Sequence, residues 1–511
     1  MGQVMPHGRQ PRAFHPLLLA AYPALFLYSR NMEEATPGDL VRALAVLLPA
    51  ACLLWLAARL AVKDRLKAAL IVSLLVVATF SFGYVIEPVR GAMIGDYLVG
   101  RALVLEPIWC LILGILVVLI TRTRRSLVSA TVFANTASVV LVGAALLQAV
   151  VFHLGADRAD ASRWRSYVAG KLAADPPLKP PAGVRAPNIY YIILDEYTRA
   201  DVLKNDLGFD NSEFVSELER RGFYVAERSV SNYTSTYLSL SSSLNLDYLQ
   251  ALREAAEIEE MSPQIQGEMI HENRVVGMLK QAGYSLAVFP SDYRVTDRHP
   301  HADRVYRRRC FNLSEFERVL FDKSLFAPFL KGVANHRRDV LYNLDNLGRP
   351  KDLDGPVFVF AHIMVPHPPY VFDSEGNLPP QEPFGREIKS TEKAIRRYTG
   401  QIAYTNKRIL EAVDRILKDE EEPPVIILQG DHGFRRLPQD HPAQQRVVSS
   451  ILNAYYLPPT AGELPGPSIS PVNSFRLVFN RYLGGRFGFL PDESYYSPPG
   501  GKTGVFLRIE H

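Results

Sequence analysis

The chain has 511 residues, of which 22% are charged and 48% hydrophobic, and its formal net charge is +4. A chain of this length accommodates roughly two to four domains, and its composition is too apolar for a disordered protein. The small net charge argues against a dedicated nucleic-acid-binding protein, which concentrates basic residues on one domain. The three cysteines, Cys52, Cys110 and Cys310, exclude a disulfide framework or a Cys-x-x-Cys metal site in the C-terminal part.

The first 154 residues form a series of long apolar runs, which cover about 14–29, 40–62, 66–86, 103–120 and 127–154. The last four reach the roughly 20 apolar residues that a helix needs to cross a bilayer. The first is shorter and carries His15 and Pro23, so the pattern leaves open whether it spans the membrane. A signal peptide is the alternative, although no small-residue cleavage site follows before the acidic pair at 33–34. The sequence therefore predicts a transmembrane domain at 1–154 with about five helices.

The charges between these runs predict the orientation of the chain. Basic residues cluster before the first run, between the second and third, and between the fourth and fifth, at Arg9, Arg12, Lys63, Arg65, Lys67, Arg122, Arg124 and Arg125. The remaining loops are mainly acidic. Since basic loops stay in the cytoplasm, we expect a multi-pass protein of the plasma (inner) membrane whose C-terminal domain lies outside the cytoplasm.

A linker is predicted at 155–186, because the proline-rich stretch 175–181 is typical of a semi-rigid spacer. In the remaining region, 187–511, short apolar runs alternate with amphipathic stretches. The predicted strands are 188–194, 284–289, 357–363, 425–428 and 453–457, and the predicted helices are 211–221, 271–282, 313–329 and 386–418. This alternation predicts an α/β domain with a mostly parallel central sheet. Ligands of such domains bind beyond the carboxyl ends of the strands.

Polar residues follow three of the predicted strands, namely Asp195-Glu196, the segment containing His362 and His367, and Asp431-His432-Gly433. A hydroxyl-rich stretch at 232–244 contains Thr236 near a predicted helix start, where free N–H groups favour an anion such as phosphate. Each cluster has an ordinary structural explanation, such as helix capping, core packing or a rigid turn. Together, a carboxylate, a threonine and an Asp-His pair on separate strand ends indicate an oxygen and nitrogen site for Zn²⁺ or Mn²⁺.

These residues resemble motifs of the alkaline phosphatase/sulfatase superfamily. The resemblance is in particular to its membrane-anchored members, the lipoteichoic acid synthases, phosphoglycerol transferases and lipid A phosphoethanolamine transferases. The segment 188–195 is similar to the family's first strand with its metal-binding acid, and 430–433 to its late Asp-His-Gly motif. Thr236-Tyr-Leu-Ser239 resembles the nucleophile segment, and His362 and His367 keep the spacing of the phosphoethanolamine transferases. The resemblance implies an alkaline-phosphatase-like fold and an extracytoplasmic catalytic domain.

The resemblance also implies the chemistry of the site. It implies one divalent metal ion, Zn²⁺ or Mn²⁺, whose ligands would be Asp195, Asp431, His432 and Thr236, with Glu196 as a second candidate acid. Thr236 would be the nucleophile and form a phospho-threonine intermediate. His367, with His362 behind it, would protonate the leaving group or contact phosphate. Further expected substrate contacts are Ser239, Asp292 and His441.

Two departures from the family patterns bear on the substrate. Thr236, Leu238 and Leu240 replace the Cys/Ser-x-Pro/Ala-x-Arg pattern from which sulfatases make formylglycine, which argues against sulfate-ester hydrolysis of that type. Pro290-Ser-Asp292 keeps the acid but lacks the histidine of the glycerol-phosphate segment.

The expected function is thus transfer of a phosphoglycerol-type or phosphoethanolamine-type headgroup. The donor would be a membrane lipid, and the acceptor a cell-envelope glycan or lipid. Two alternatives stay open: a hydrolase of a phosphodiester, phosphonate or sulfate ester on the same fold, and a non-catalytic membrane assembly protein.

Overall fold

The computed structural model describes residues 11–32, 35–86, 93–94, 97–98, 102–153, 157–291, 293–297, 299–308, 315–322, 324–327, 332–380, 388, 390–419, 422–459, 464–497 and 504–510. The chain divides into two compact units. The first comprises Met1–Gly155 and Asn312–Gly332, and the second comprises Ala156–Phe311 and Val333–His511.

The elements are numbered here in chain order. The helices are α1 (His15–Arg30), α2 (Pro37–Val62), α3 (Arg65–Ile86), α4 (Ala102–Arg122), α5 (Val128–His153), α6 (Asp157–Ala174), α7 (Ala200–Leu207), α8 (Ser212–Arg220), α9 (Thr236–Ser243), α10 (Leu249–Ala255), α11 (Pro263–His271), α12 (Arg274–Gln281), α13 (Arg294–Asp297), α14 (Glu315–Asp322), α15 (Gly332–Asn346), α16 (Thr391–Asp419), α17 (Gln444–Ser449) and α18 (Pro471–Tyr482). The strands are β1 (Met93–Ile94), β2 (Tyr97–Leu98), β3 (Ile189–Leu194), β4 (Phe223–Val225), β5 (Ser285–Phe289), β6 (Arg304–Val305), β7 (Val357–Ile363), β8 (Val425–Gly430), β9 (Asn453–Tyr456), β10 (Ser494–Tyr496) and β11 (Leu507–Ile509).

The first unit is built from the apolar helices. Within the described residues, four helices are long and apolar enough to cross a membrane, at Pro37–Val62, Arg65–Val85, Val104–Arg122 and Val128–Phe152. The four longer runs predicted from the sequence are therefore confirmed as helices of this kind. Helix α1 has 16 residues, about 24 Å at 1.5 Å per residue, which is shorter than the roughly 30 Å hydrocarbon core of a bilayer.

Helix α1 is nevertheless packed within the first unit, against α2, α3 and α5. Its start is held by Asn135 of α5, whose Oδ1 accepts hydrogen bonds from the N–H groups of Phe14 and His15, each at 3.1 Å. The Nδ1 atom of His15 also lies 2.5 Å from the hydroxyl of Ser73 on α3. Free N–H groups at a helix start need partners in an apolar environment. Asn135 of α5 supplies them here, and Ser73 of α3 is the partner of the His15 side chain.

The second unit contains a seven-stranded sheet with the order β4-β9-β8-β3-β7-β5-β6. Strands β3, β5, β6, β7 and β8 pair in parallel, whereas β9 is antiparallel to both β8 and β4. The expected α/β fold with a mostly parallel sheet is therefore confirmed. The central strands β3, β7 and β8 are buried along their whole length, as their continuous apolar runs predict. The short strands β4 and β6 were not predicted, because two or three residues carry no measurable period.

Helices cover both faces of this sheet, so the unit has three layers. One face packs against apolar residues of α7, α8, α15, α16 and α17. The other packs against α9, α11, α12, α13 and α18. A smaller apolar cluster lies beside the second face and includes Trp164 and Val168 of α6. Residues Asp157–Ala174 thus form a helix that belongs to the second unit.

Candidate active site

The register of the three central strands places two carboxylates side by side. Leu194 of β3 pairs with Gly430 of β8 on one side and with Ile363 of β7 on the other. Asp195 and Asp431 each follow directly after a paired position, at the carboxyl ends of neighbouring parallel strands. The structure therefore brings these two predicted residues together, and both are buried.

Asp431 and His432 each use one polar side-chain atom in hydrogen bonds to the backbone, and a second polar atom of each faces the candidate site. The Oδ1 atom of Asp431 accepts hydrogen bonds from the backbone N–H groups of Glu196 (3.0 Å) and His432 (2.9 Å), whereas its Oδ2 atom has no hydrogen-bond partner. The Nδ1 atom of His432 donates to the carbonyl of Gly433 at 2.9 Å. Because Nδ1 carries the proton, Nε2 of His432 has a free lone pair.

This Nε2 atom faces both carboxylates and the predicted nucleophile. It lies 3.8 Å from Oδ1 of Asp195 and 3.7 Å from Oδ2 of Asp431. The hydroxyl of Thr236 lies 3.5 Å from the same atom. Thr236 is the first residue of α9, after the N-cap Ser235, so the free N–H groups of the helix start are beside its hydroxyl.

The buried atoms without partners fit a bound cation. They include Oδ1 of Asp195, Oδ2 of Asp431, Oε2 of Glu196 and Nε2 of His362. Unpaired buried carboxylate oxygens are costly, and a positive ion removes that cost. Among the described residues, Asp195, Asp431 and His432 form the group whose ligand atoms all lie within 4.8 Å of one another. Two carboxylates and one imidazole suit Zn²⁺ or Mn²⁺.

Glu196 follows Asp195 but is held differently. Its backbone has φ = +67°, a left-handed conformation that a glutamate adopts at a cost. Its Oε1 atom accepts a hydrogen bond from the N–H of Arg435 at 2.7 Å, and Oε2 has no partner. Burial raises the pKa of Glu196 above its ordinary value, although the neighbouring histidines partly oppose this. Glu196 is not one of the three residues that share the 4.8 Å group.

Two more predicted histidines border Asp195. His362, on β7, forms a hydrogen bond between its Nδ1 atom and the hydroxyl of Thr296 (2.7 Å), and its Nε2 atom lies 3.2 Å from Oδ2 of Asp195. The two atoms are close enough for an ion pair, but they are not aligned for a hydrogen bond, so Nε2 of His362 has no hydrogen-bond partner. His367 is half-buried and donates its backbone N–H to the carbonyl of Asp195 at 3.1 Å. Its Nδ1 atom bonds to the carbonyl of Pro368, which leaves Nε2 for another partner.

These histidines set the protonation of the first carboxylate. Burial alone would raise the pKa of Asp195, but the attraction to His367 and the hydrogen bond and attraction to His362, with a smaller contribution from His432, outweigh it and hold that pKa well below its ordinary value. For His367 the balance runs the other way: burial lowers its pKa, and Asp195 and Glu196 together raise it above the ordinary value.

The remaining predicted residues lie as follows. Ser239 is buried in α9, and its N–H donates to the carbonyl of Ser235 at 2.9 Å. His441 is exposed in the turn before α17, where its Nδ1 atom accepts a hydrogen bond from the N–H of Ala443 at 3.2 Å. Asp292 lies outside the described residues, as does Cys310.

Three residues that support the site carry no sequence signal. The hydroxyl of Tyr398, on α16, donates to the carbonyl of Glu196 at 2.6 Å and lies 2.9 Å from the hydroxyl of Thr198. Thr198 in turn accepts a hydrogen bond from the N–H of Phe434 at 2.9 Å. Together with Thr296, they fix the loops after β3 and β8 and the ring of His362. Each lies far along the chain from its partner, so spacing could not reveal it.

Comparisons with known proteins found several solved structures that are similar to this chain. Among solved structures, the C-terminal periplasmic domain of EcEptC from Escherichia coli matches with a TM-score of 0.42 and 14% identity, covering 65% of this chain and 96% of that one. The integral membrane lipooligosaccharide phosphoethanolamine transferase A from Neisseria meningitidis matches with a TM-score of 0.35 and 13% identity over 86% of this chain and 88% of its own.

A third solved structure is the phosphonate monoester hydrolase of Agrobacterium radiobacter, with a TM-score of 0.37, 12% identity and coverage of 61% of this chain and 80% of that one. Identities and TM-scores this low say nothing about the substrate of the present chain. Among curated protein sequences, none matches. The sulfatase family model matches residues 187–463, which is more than half of the chain. The chain therefore belongs to the sulfatase family and is an enzyme of the sulfatase-like type.

Proposed function

We propose that this protein is a membrane-anchored phosphotransferase that moves a phospho-headgroup from a membrane lipid to a cell-envelope acceptor through Thr236. One observation carries the proposal: the Thr236 hydroxyl lies 3.5 Å from Nε2 of His432, beside the unpaired oxygens of Asp195 and Asp431. A threonine cannot be converted to formylglycine, so the arrangement supports direct attack on phosphorus rather than the sulfatase route. The four membrane-capable helices favour a lipid donor.

The residues that would hold a divalent cation are Asp195, Asp431 and His432, with the Thr236 oxygen as a further ligand. Such a cation supplies positive charge that favours the ionised hydroxyl and neutralises phosphoryl oxygens. Its identity, Zn²⁺ or Mn²⁺, and its presence in the working enzyme are part of the proposal. Glu196 would then hold the loop through Arg435 rather than bind the ion.

The chain's own residues would carry two balanced steps. In the first, the ionised Thr236 oxygen forms a bond to phosphorus while the bond from phosphorus to the lipid's glycerol oxygen breaks. The protonated imidazole of His367 gives its proton to that oxygen, and diacylglycerol leaves. In the second step an acceptor hydroxyl gives its proton to His367 and attacks phosphorus, and the Thr236 oxygen is released. His362 would orient Asp195 from its fixed position on Thr296.

The test is single substitution of the hydroxyl residues at the start of α9. Thr236→Ala should abolish turnover of a fluorescent phosphodiester lipid while metal content stays near that of the wild type, because the hydroxyl is one of several ligands. Thr234→Ala and Ser235→Ala are the matched controls and should retain turnover. Mass spectrometry of the wild-type protein, quenched during turnover, should find the phospho-headgroup, phosphoglycerol or phosphoethanolamine, on the peptide that contains Thr236.

The products separate transfer from hydrolysis. Transfer predicts that the headgroup appears on a second lipid or glycan, and that turnover rises with acceptor concentration. A free headgroup at every acceptor concentration would identify a hydrolase that uses the same residues. Normal turnover by Thr236→Ala, or a covalent adduct on another hydroxyl, would refute the proposed nucleophile.

The proposal includes the location of the protein. We infer a plasma (inner) membrane protein whose catalytic region, expected at 187–511, lies outside the cytoplasm after a membrane region at 1–154. Of the expected linker at 155–186, residues Asp157–Ala174 form α6 and belong to the second unit rather than to a spacer. The basic loops at 63–67 and 122–125 support this orientation. A reporter that is active only outside the cytoplasm should work when fused after the last residue and stay silent when fused between residues 122 and 125. A silent C-terminal fusion of the intact protein would refute the orientation.

A further inference from the structure

One segment lies within the sequence of the sheet-containing unit but belongs to the unit of apolar helices. Residues Asn312–Gly332 group with Met1–Gly155, although the chain on both sides of them belongs to the second unit. The amphipathic helix α14 is the main described element of this segment. The sequence pattern predicts such a helix but not the surface against which it packs.

Helix α14 packs by its apolar face against one end of the helix bundle. Phe316 and Leu320, one turn apart, are buried in a cluster with residues from the end of α1, the connection to α2, the first turns of α2 and the last turn of α5, including Tyr28, Met32, Ala35, Ala43, Leu40 and Phe152. The ring of Phe321 lies 5.9 Å from that of Phe80 on α3. These helix ends are at the same end of the bundle, since consecutive helices alternate in direction.

Polar contacts also hold the segment against this end of the helix bundle. The carboxylate of Glu317 pairs with the guanidinium of Arg42 on α2 through two bonds, Nη2–Oε2 at 2.7 Å and Nε–Oε1 at 3.2 Å. The backbone N–H of Leu325 donates to the carbonyl of Thr79 on α3 at 2.9 Å. A charged arginine within an apolar helix needs a partner or access to water, and Glu317, which is nearly buried, is that partner.

Two large apolar side chains of the segment are exposed. Val319 is 47% exposed and Phe326 is 49% exposed. The first turns of α2, which share the buried cluster with α14, also expose apolar side chains, namely Val41 and Val46. Large apolar side chains next to a lipid-facing surface are typical of an element that lies in the membrane interface.

We propose that helix α14 and residues 324–327 form an interfacial membrane anchor of the catalytic unit, with Val319 and Phe326 in contact with the phospholipid bilayer at the headgroup and acyl-chain boundary. The segment would fasten the catalytic unit to the membrane at a second point, independent of the connection after α5. The partner is the lipid surface itself, because the exposed side chains belong to the unit of membrane-capable helices, whose neighbouring turns of α2 are also apolar and exposed. This proposal requires that the helices span a membrane but does not depend on the chemistry proposed above.

The test measures where a nitroxide label at each position lies. Val319→Cys and Phe326→Cys are made separately in the full chain after Cys52, Cys110 and Cys310 are replaced by serine, labelled, and placed in phosphatidylethanolamine/phosphatidylglycerol vesicles. Collision with oxygen, which concentrates in lipid, is compared with collision with a water-soluble nickel chelate. Leu53→Cys on α2 is the reference for the hydrocarbon core. Val505→Cys, a valine of the catalytic unit with 42% exposure, is the matched control.

The expected ratio of oxygen to nickel collisions at Val319 and Phe326 lies between that at Leu53 and that of free label in water. It should exceed the ratio at Val505 at least threefold. Doxyl lipids should quench a fluorophore at the same two positions more strongly when the doxyl group is near the headgroup than when it is at the chain end. Nickel accessibility at Val319 equal to that at Val505, or labels that neither reagent reaches, would overturn the proposal. Two separate labelled positions guard against a single variant that fails to fold.

Discussion

The Asp431→Asn substitution tests the cation site most directly. Asparagine has nearly the shape of aspartate, and its carbonyl oxygen can keep the two backbone hydrogen bonds that Oδ1 of Asp431 accepts, from Glu196 and His432. What the substitution removes is the negative charge on the unpaired Oδ2 atom. Without metal, the variant should therefore be at least as stable as the wild type, because the charge beside Asp195 is gone.

The metal-dependent stability should change by a measurable amount. At a free ion concentration 100 times the dissociation constant, a bound ion stabilises the folded state by about 2.7 kcal/mol. If the loss of one of two charged ligands weakens binding about 100-fold, this gain falls to about 0.4 kcal/mol at the same concentration. The difference is about 2.3 kcal/mol, or about 5 °C in melting temperature at ~2 °C per kcal/mol.

The assay is thermal unfolding of the full chain in detergent, first treated with a chelator and then titrated with Zn²⁺ or Mn²⁺. Asp440→Asn changes an exposed aspartate nine residues further along and serves as the control. It should show the same metal-induced increase in melting temperature as the wild type. An equal increase in Asp431→Asn would refute the assignment of this carboxylate to the ion, and no increase in the wild type would refute the site itself.

Three further predictions use other parts of the structure. Glu317→Gln should lower the free energy of unfolding by about 1–2 kcal/mol, because Arg42 loses its counter-charge; adding Arg42→Gln should recover part of the loss in a double-mutant cycle. Burial, the largest cause, lowers the pKa of His299 from 6.5 to about 3. The unfolded chain therefore binds a proton that the folded chain does not, so the free energy of unfolding should fall by about 2 kcal/mol as the pH is lowered from 7.5 to 5. In calorimetry, the His299→Gln variant should lose less stability than the wild type over the same pH range. Gly433→Ala would place a Cβ 2.1 Å from a backbone carbonyl oxygen, so it should cost at least about 2 kcal/mol and prevent metal binding, whereas Gly488→Ala, with open space around it, should do neither.

The strands that position the site could be predicted because they are buried on both faces. Residues 188–194 read as one continuous apolar run, and the structure has the strand at Ile189–Leu194. Asp195 directly after this strand and Asp431 directly after β8 are recognisable because each follows a largely apolar run. Since parallel strands end at one edge of the sheet, the proximity of Asp195 and Asp431 followed from the pattern.

Other features depend on contacts that no local pattern records. Thr296 pairs with His362 across 66 positions of the sequence, and Tyr398 reaches Glu196 across 202. The hydroxyl group of a threonine or tyrosine is common on any surface, so neither residue stands out. Helix α14 shows the same limit: its 3.6-residue period reveals an apolar face but does not identify the helices against which that face packs.

The three passages of the chain between the two units have a practical consequence for isolating the catalytic part. A fragment that begins in the proline-rich stretch near residue 180 would lack α6, whose Trp164 is fully buried in the apolar cluster of the second unit. The same fragment would still carry Phe316, Leu320 and Phe321 without the helices that cover them. Such a fragment should expose apolar surface at two places and self-associate in the absence of detergent. For the same reason, a protease that cuts once within residues 175–181 would leave the catalytic unit retained in the membrane fraction.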